Sequence, residues 1–256
     1  MLTPWRTGIV HARDGEIWIR GRNVTALMQQ ATFTDTIFLL HRGELPTARE
    51  RRMLDAILTS VADHGANAPS CATARLSASG NRQSVSANVA AGLLAIGDEH
   101  GGAGEACMVL IQAGLARALE QNGSLAEVAD AMVAESRTAG RRLPGLGHRV
   151  HTVDPRVEIL FALATADDGQ EPAPVQFMRE LQRAAAAAIK PLPINIDGAL
   201  AALLIVLGFP PQAGKLLFIV GRVAGLTAEV AEEYAREKPM RIRIPLDYDG
   251  VPPVAD

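Results

Sequence analysis

The sequence is short of cysteine: Cys71 and Cys107 are its only two. Neither belongs to a Cys-x-x-Cys pair or stands near a histidine at a metal-ligand spacing, which argues against a disulfide framework and against a zinc site; no metal is expected. Long hydrophobic runs are missing too. The start, Met1-Leu2-Thr3-Pro4-Trp5-Arg6, has no apolar core of signal-peptide length, and later apolar stretches meet Gly, Pro or Lys well before membrane-spanning length. The expectation is a soluble, cytoplasmic protein without a membrane partner. A strong excess of either charge is lacking as well: 25 Lys and Arg against 28 Asp and Glu leave a formal net charge of -3, and with a pI near 6.1 this gives no electrostatic case for nucleic acid and points to a small ligand. No repeat of fixed period is visible. The 256 residues suffice for a sizeable core, as one large domain or one with a smaller appendage.

What is present is mostly helical periodicity. Gly8 to Ile19 alternates apolar and polar types around Asp14-Gly15 and predicts a small β-hairpin. After it, apolar spacing predicts helices over Val24–His41, Ala48–Ala62, Asn81–Ile96, Glu105–Gln121, Leu125–Thr138, Arg156–Ala166, Val175–Ile189, Gly198–Leu207 and Pro211–Glu237. The tail from Arg241 carries Pro245, Pro252 and Pro253 and cannot be one continuous helix.

Three segments carry the chemistry: Glu99-His100-Gly101-Gly102, Pro144-Gly145-Leu146-Gly147-His148-Arg149 and Asn195-Ile196-Asp197-Gly198. Imidazole donates or accepts a hydrogen bond near neutral pH, and a partly desolvated carboxylate works as a base, so two histidines and an aspartate suit enolate chemistry. Glycine beside each lets a ligand approach the backbone. Taken singly, each has a plainer explanation: a helix-end or core histidine, or Asp197 as the N-cap of the helix that follows.

In order along the chain, these segments join others. Phe38-Leu39-Leu40-His41-Arg42-Gly43-Glu44-Leu45-Pro46-Thr47, Asp63-His64-Gly65 through Thr73-Ala74-Arg75, Asp154-Pro155-Arg156 and Gly221-Arg222 through Gly225 complete a series that resembles the citrate synthase superfamily over nearly the whole chain. The resemblance implies an all-α fold, with helical large and small domains besides the N-terminal β-hairpin: residues 1–101 and 209–256 as the large domain and 102–208 as the small one. It implies that Asp197 exchanges a proton with the methyl carbon of acetyl-CoA, that His100 holds the thioester oxygen, and that His148 exchanges a proton with the oxygen on the carbon being attacked or released. His64, Arg156 and Arg222 match positions that bind the carboxylates of oxaloacetate or the citryl group. Arg243, with Arg241 as the other possible register, matches an arginine that crosses from the partner subunit, so a homodimer with a shared active site is implied. Coenzyme A, as the substrate thioester, would meet Arg149, Lys190 and the loop Leu146-Gly147. Arg141 and Arg142 are additional candidates, or a solvated charge pair. For Arg156 and Arg222 the plainer alternative is a surface ion pair.

Full-length citrate synthases carry a long helical segment between the Gly-Glu-Leu-Pro motif and the first substrate histidine; here one helix separates Pro46 from His64. That compaction, with Gly92-Leu93-Leu94-Ala95-Ile96-Gly97-Asp98 and Arg156-Val157-Glu158-Ile159-Leu160, resembles citryl-CoA lyases and the corresponding module of ATP-citrate lyase. The expected reaction is cleavage of citryl-CoA to acetyl-CoA and oxaloacetate. The alternatives are a citrate or 2-methylcitrate synthase, and a non-catalytic subunit that binds CoA or a dicarboxylate.

Overall fold

The computed structural model describes residues 3–147, 153–165 and 169–251. Strands β1 (Val10–Arg13) and β2 (Glu16–Ile19) pair antiparallel around Asp14-Gly15, both at positive φ, the backbone that a two-residue hairpin turn requires. A second tight turn at Arg20-Gly21 adds β3 (Arg22–Asn23), a strand the alternation did not reveal. Arg20 fastens this sheet to the helical body, donating through Nε and Nη2 to the Leu40 carbonyl at 3.1 and 2.9 Å.

The rest is helical, as expected, with two departures. The single helix predicted over Val24–His41 is two, α1 (Val24–Gln30) and α2 (Phe33–Arg42). Thr32 stops the first and starts the second: its hydroxyl accepts from the Asp35 N–H while the Asp35 carboxylate accepts from the Thr32 N–H, a reciprocal cap that outcompetes helix continuation. After α3 (Ala48–Val61) comes the unpredicted α4 (Pro69–Gly80). Its sequence is mostly Ala, Ser, Thr and Cys, so no apolar stripe marks it. Small side chains are what its packing needs. Where α5 (Val85–Leu94) crosses it, a Cβ on Gly92 would stand 2.9 Å from the Ser70 carbonyl and 3.0 Å from Ala74 Cβ.

Helices α6 (Ala103–Gln121), α7 (Leu125–Thr138), α8 (Pro155–Ala164), α9 (Ala173–Ala188), α10 (Ile196–Val206) and α11 (Ala213–Arg236) follow the predicted periodicities to within a few residues. Helix α10 is the centre. Every residue from Gly198 to Leu204 is buried, the mark of a helix packed on all sides. Around it a continuous apolar core gathers Phe38, Leu54 and Ile57 from α2 and α3, Met108 and Ile111 from α6, Phe161 from α8, Phe177 and Leu181 from α9, and Leu217 and Phe218 from α11. A smaller set joins Cys71, Ala74 and Ala78 of α4 to Leu226 and Val230 of α11. Residues 241–249 have no regular secondary structure. Among the described residues no helix is long and apolar enough to cross a membrane.

Close approach of α6 and α9 depends on Gly114, where an added Cβ would fall 2.0 Å from Cζ of the fully buried Phe177 ring. Helix propensity alone favours Ala over Gly by about 1 kcal/mol. Overpacking wins in a core this tight, so Gly114→Ala is expected to destabilise the fold by about 1–3 kcal/mol in denaturant titration, with part recovered in Gly114→Ala/Phe177→Leu. A stabilised single variant would refute this packing.

Candidate functional site

The N-terminus of α10 is where the sequence motifs converge. Gly145 and Gly147, both at positive φ, shape a loop that zips against Pro193–Asn195. The Gly147 N–H donates to the Pro193 carbonyl at 2.7 Å, the Asn195 N–H to the Gly145 carbonyl at 3.0 Å, and Asn195 Nδ2 to the Gly147 carbonyl at 2.8 Å. A side chain at Gly145 would collide with Cys107 Sγ at 2.5 Å and Gly198 Cα at 2.8 Å, so the two segments touch backbone to backbone. Asn195 also caps α10 by accepting from the Gly198 N–H at 3.2 Å. The cap is therefore Asn195 and not Asp197, which removes the plainer explanation for the aspartate.

Asp197 lies in the first turn of α10, and burial pushes its carboxyl up to about 6. Arg156 and Arg222 pull the other way, and the charge of Asp154 adds to the rise. Beneath it sits Cys107, fully buried, its thiol held protonated by the same desolvation and by the Asp197 charge.

His100 closes a tight turn. Its N–H donates to the Gly97 carbonyl at 2.9 Å and its carbonyl accepts from the Gly97 N–H at 3.0 Å. Gly101 follows at φ +75°, where a Cβ would stand 2.3 Å from the Phe218 ring, so the turn packs directly against that ring. The Ser70 hydroxyl lies 2.9 Å from Nε2, and the Ser70 N–H donates to the same nitrogen at 3.3 Å. Ser70 is in the first turn of α4, where backbone N–H groups have no partner within the helix. A backbone N–H only donates, so Nε2 accepts and a neutral ring carries its proton on Nδ1.

Ser70 is the site residue that the sequence reading missed, because α4 itself was missed. The signal available was Pro69 at a helix start shortly after His64-Gly65. Its hydroxyl accepts from Nη1 of Arg222 at 3.0 Å. Arg222, 2% exposed, also donates from Nε to the Val61 carbonyl at 2.8 Å and lies over Phe218 at 5.0 Å. Arg156 is no surface ion pair either. The buried Asp154 carboxylate, N-cap of α8, grips its Nε at 2.9 Å and Nη2 at 2.7 Å, while Nη1 reaches the Ser60 carbonyl at 2.9 Å. His64 is exposed in the turn between α3 and α4, where Asp63 Oδ1 accepts from the Gly65 N–H at 2.6 Å.

The structure thus brings His100, Arg156, Arg222 and Asp197 to one place, with His64 on the turn leading to α4. His148 and Arg149 lie outside the described residues, directly after Gly147. Leu146 and Gly147 are half-buried in the zipped loop, and Lys190 is exposed just beyond the end of α9. Arg141 and Arg142 are exposed; Arg142 pairs with Glu99 at 2.6 Å on the His100 turn. Arg243 is exposed on the tail and, among the described residues, makes no hydrogen bond or ion pair. Asp63, Cys71 and Glu229 could together offer ligand atoms to a metal ion. Each is already engaged, Glu229 by Arg75 and the Cys71 thiol by Asp63.

Comparison with known proteins bears on the family and the fold. The model of the citrate synthase C-terminal domain matches residues 47–243. The citryl-CoA lyase of Hydrogenobacter thermophilus superposes with a TM-score of 0.87 at 38% identity, over 98% of this chain and 96% of that one. The ATP citrate lyase of Methanosaeta concilii, in complex with (3S)-citryl-CoA, shares the fold at a TM-score of 0.75 and 20% identity, over 97% of this chain and 43% of that one. A probable ATP-citrate synthase of Caenorhabditis elegans is 30% identical over 206 residues, 78% of this chain and 18% of the relative. The chain spans between 18% and 59% of the length of the first curated relatives it matches. On the match over residues 47–243, the chain belongs to the citrate synthase family.

Proposed function

We propose that the protein cleaves citryl-CoA to acetyl-CoA and oxaloacetate. The observation that carries this reading is the pairing of a buried carboxyl near pKa 6, Asp197, with an imidazole whose tautomer is fixed by Ser70, both beside the guanidinium of Arg222. It is supported by the near end-to-end match, in length and fold, with a citryl-CoA lyase.

In this reading the carboxylates of the citryl group meet Arg156, Arg222 and His64, the planar guanidinium forks supplying paired hydrogen bonds. Arg149, Lys190 and the Leu146-Gly147 loop receive the CoA portion. His148 takes the tertiary hydroxyl proton, the carbon–carbon bond breaks to leave oxaloacetate, and its electron pair moves onto the thioester as an enolate. His100 donates from Nδ1 to the enolate oxygen, a preorganised donor placed where charge develops. Asp197, entering as the acid, delivers its proton to the carbon and completes the acetyl group. A raised pKa suits that role, since an acid already ionised well below neutrality has no proton to give.

The groups come from both halves of the chain. His64, His100 and Arg222 belong to residues 1–101 and 209–256, the proposed large domain; His148, Arg156 and Asp197 belong to 102–208, the proposed small one. We also propose a homodimer in which Arg243 completes the partner's site. Arg241, the competing register, is occupied by Glu233 of α11 and by Glu237 just past its end, whereas Arg243 is exposed. A cytoplasmic location fits two buried, unpaired cysteines.

Purified protein incubated with citryl-CoA is expected to release oxaloacetate and acetyl-CoA, and with acetyl-CoA plus oxaloacetate to release no free CoA. Citrate and free CoA from the second mixture would establish a synthase instead. Asp197→Asn is expected to slow cleavage by about 10²–10⁴-fold. For the wild type, kcat/KM should fall as pH rises through about 6, as the Asp197 acid ionises.

Stability moves in the same window. A carboxyl whose proton affinity rises on folding favours the fold at low pH and loses that contribution as pH rises from its unfolded value through about 6. Asp197→Asn should therefore gain up to about 3 kcal/mol at pH 7–8 and less than about 1 kcal/mol near pH 4 in denaturant titration, since one pKa unit corresponds to about 1.4 kcal/mol. An equal gain at both pH values would contradict the buried charge. A 1:1 co-expression of Arg243→Ala with Asp197→Asn, each inactive alone, should recover about a quarter of wild-type activity, because half of randomly formed dimers hold one intact site. No recovery would mean that the tail does not cross.

A further inference from the structure

The tail leaves the helical body through a built joint. Glu233, in the last turns of α11, is fully buried, and its carboxylate accepts from Nε and Nη2 of Arg241 at 3.0 and 2.6 Å. The same carboxylate is steadied from α4 by Arg75 Nε at 3.2 Å, while Arg75 Nη1 is held by Glu229 and Glu232 at 2.5 and 2.8 Å. One residue earlier, Met240 adopts φ +57°, a left-handed conformation costly for a side chain of its kind, and its N–H donates to the Ser79 carbonyl at 2.9 Å. Arg82 ties off the end of α11, donating to the Glu233 and Glu237 carbonyls at 2.9 Å each. Contacts from α4 and α11 therefore fix the chain at 240–241, just past a helix end held from the turn between α4 and α5. Two residues further on stands Arg243, followed by the exposed apolar side chains Ile244, Leu246 and Tyr248.

A buried carboxylate that only joined α4 to α11 would be satisfied by Arg75. Its second, two-point engagement of Arg241 ties it to the tail. We propose that Glu233 is a positioning residue for the partner's active site: held by Arg75, it clamps Arg241 so that Arg243 is delivered across the subunit boundary at a fixed distance from the joint. The proposal rests on the reading above in which Arg243 acts in the partner.

The test uses the full-length chain with Glu233→Gln and, where that variant folds poorly, Arg241→Gln, whose side chain is partly exposed. Each is assayed for citryl-CoA cleavage alone and co-expressed 1:1 with Asp197→Asn. Alone, each clamp variant should lose about tenfold or more in kcat/KM, mainly through KM, because a carboxylate contact is displaced while the proton-transfer groups remain. With Asp197→Asn subunits, activity should return to about a quarter of wild type, because the sound tail of the Asp197→Asn subunit serves the intact Asp197 of the clamp variant. A merely structural role would damage the variant's own site, and no partner could rescue it. Wild-type activity in both variants would overturn the proposal. So would a failure of rescue when Arg243→Ala with Asp197→Asn does recover. If that control mixture also stays inactive, the crossing tail is wrong and the clamp falls with it.

Discussion

A guanidinium taken out of water governs this site. Arg222 is 2% exposed, and burial makes it easier to deprotonate than an arginine on the surface, so its charge must be held by what surrounds it. The Val61 carbonyl, the Ser70 hydroxyl and the Phe218 face do so. Each of those contacts has a further consequence. Ser70 sets the tautomer of His100, Phe218 seats the His100 turn, and the Val61 carbonyl fixes where α3 ends relative to α11. The glycines flanking Arg222 make the approach possible: a Cβ at Gly221 would meet the Leu58 carbonyl at 2.9 Å, and one at Gly225 the Ala62 carbonyl at 2.1 Å.

The electrostatics of the pocket balance on this charge and on that of Arg156. Both guanidiniums lower the proton affinity of Asp197, yet its carboxyl remains raised because desolvation by burial is the larger effect. Asp154 contributes to the outcome in two ways. It grips the Nε–Nη2 edge of Arg156 with both carboxylate oxygens, which fixes that guanidinium at the start of α8, and its own negative charge opposes ionisation of Asp197. The result is a carboxyl able to hold and release a proton about two pH units above an ordinary aspartate, beside cations suited to a polycarboxylate.

How far the sequence could be read depended on the kind of packing involved. Helices α6 to α11 bury broad apolar faces against one core, and periodicity found them. Helix α4 packs through Ala, Ser and Cys at close range, which leaves no stripe, and Ser70 was lost with it. The break between α1 and α2 was written as Thr-x-x-Asp, a capping signal overridden by an apolar pattern that ran through it. The ordered motifs located His100, Arg156, Arg222 and Asp197, which the fold brings together. That Asn195 would take the cap in place of Asp197 needed the backbone pairing of 145–147 with 193–195, a long-range contact that no local pattern encodes. The proposed preference for Arg243 over Arg241 likewise rests on a feature no local pattern encodes, Glu233 buried beneath the tail and holding Arg241.

The most direct measurement of the site as a proton-transfer centre is exchange of the acetyl-CoA methyl protons in D₂O, followed by ¹H NMR, with the dicarboxylate site filled by an unreactive 2-hydroxy acid such as malate. Wild-type protein should wash deuterium into the methyl group, and Asp197→Asn should abolish that exchange while still binding CoA. Equal exchange rates in the two proteins would contradict an enolate formed and quenched by Asp197.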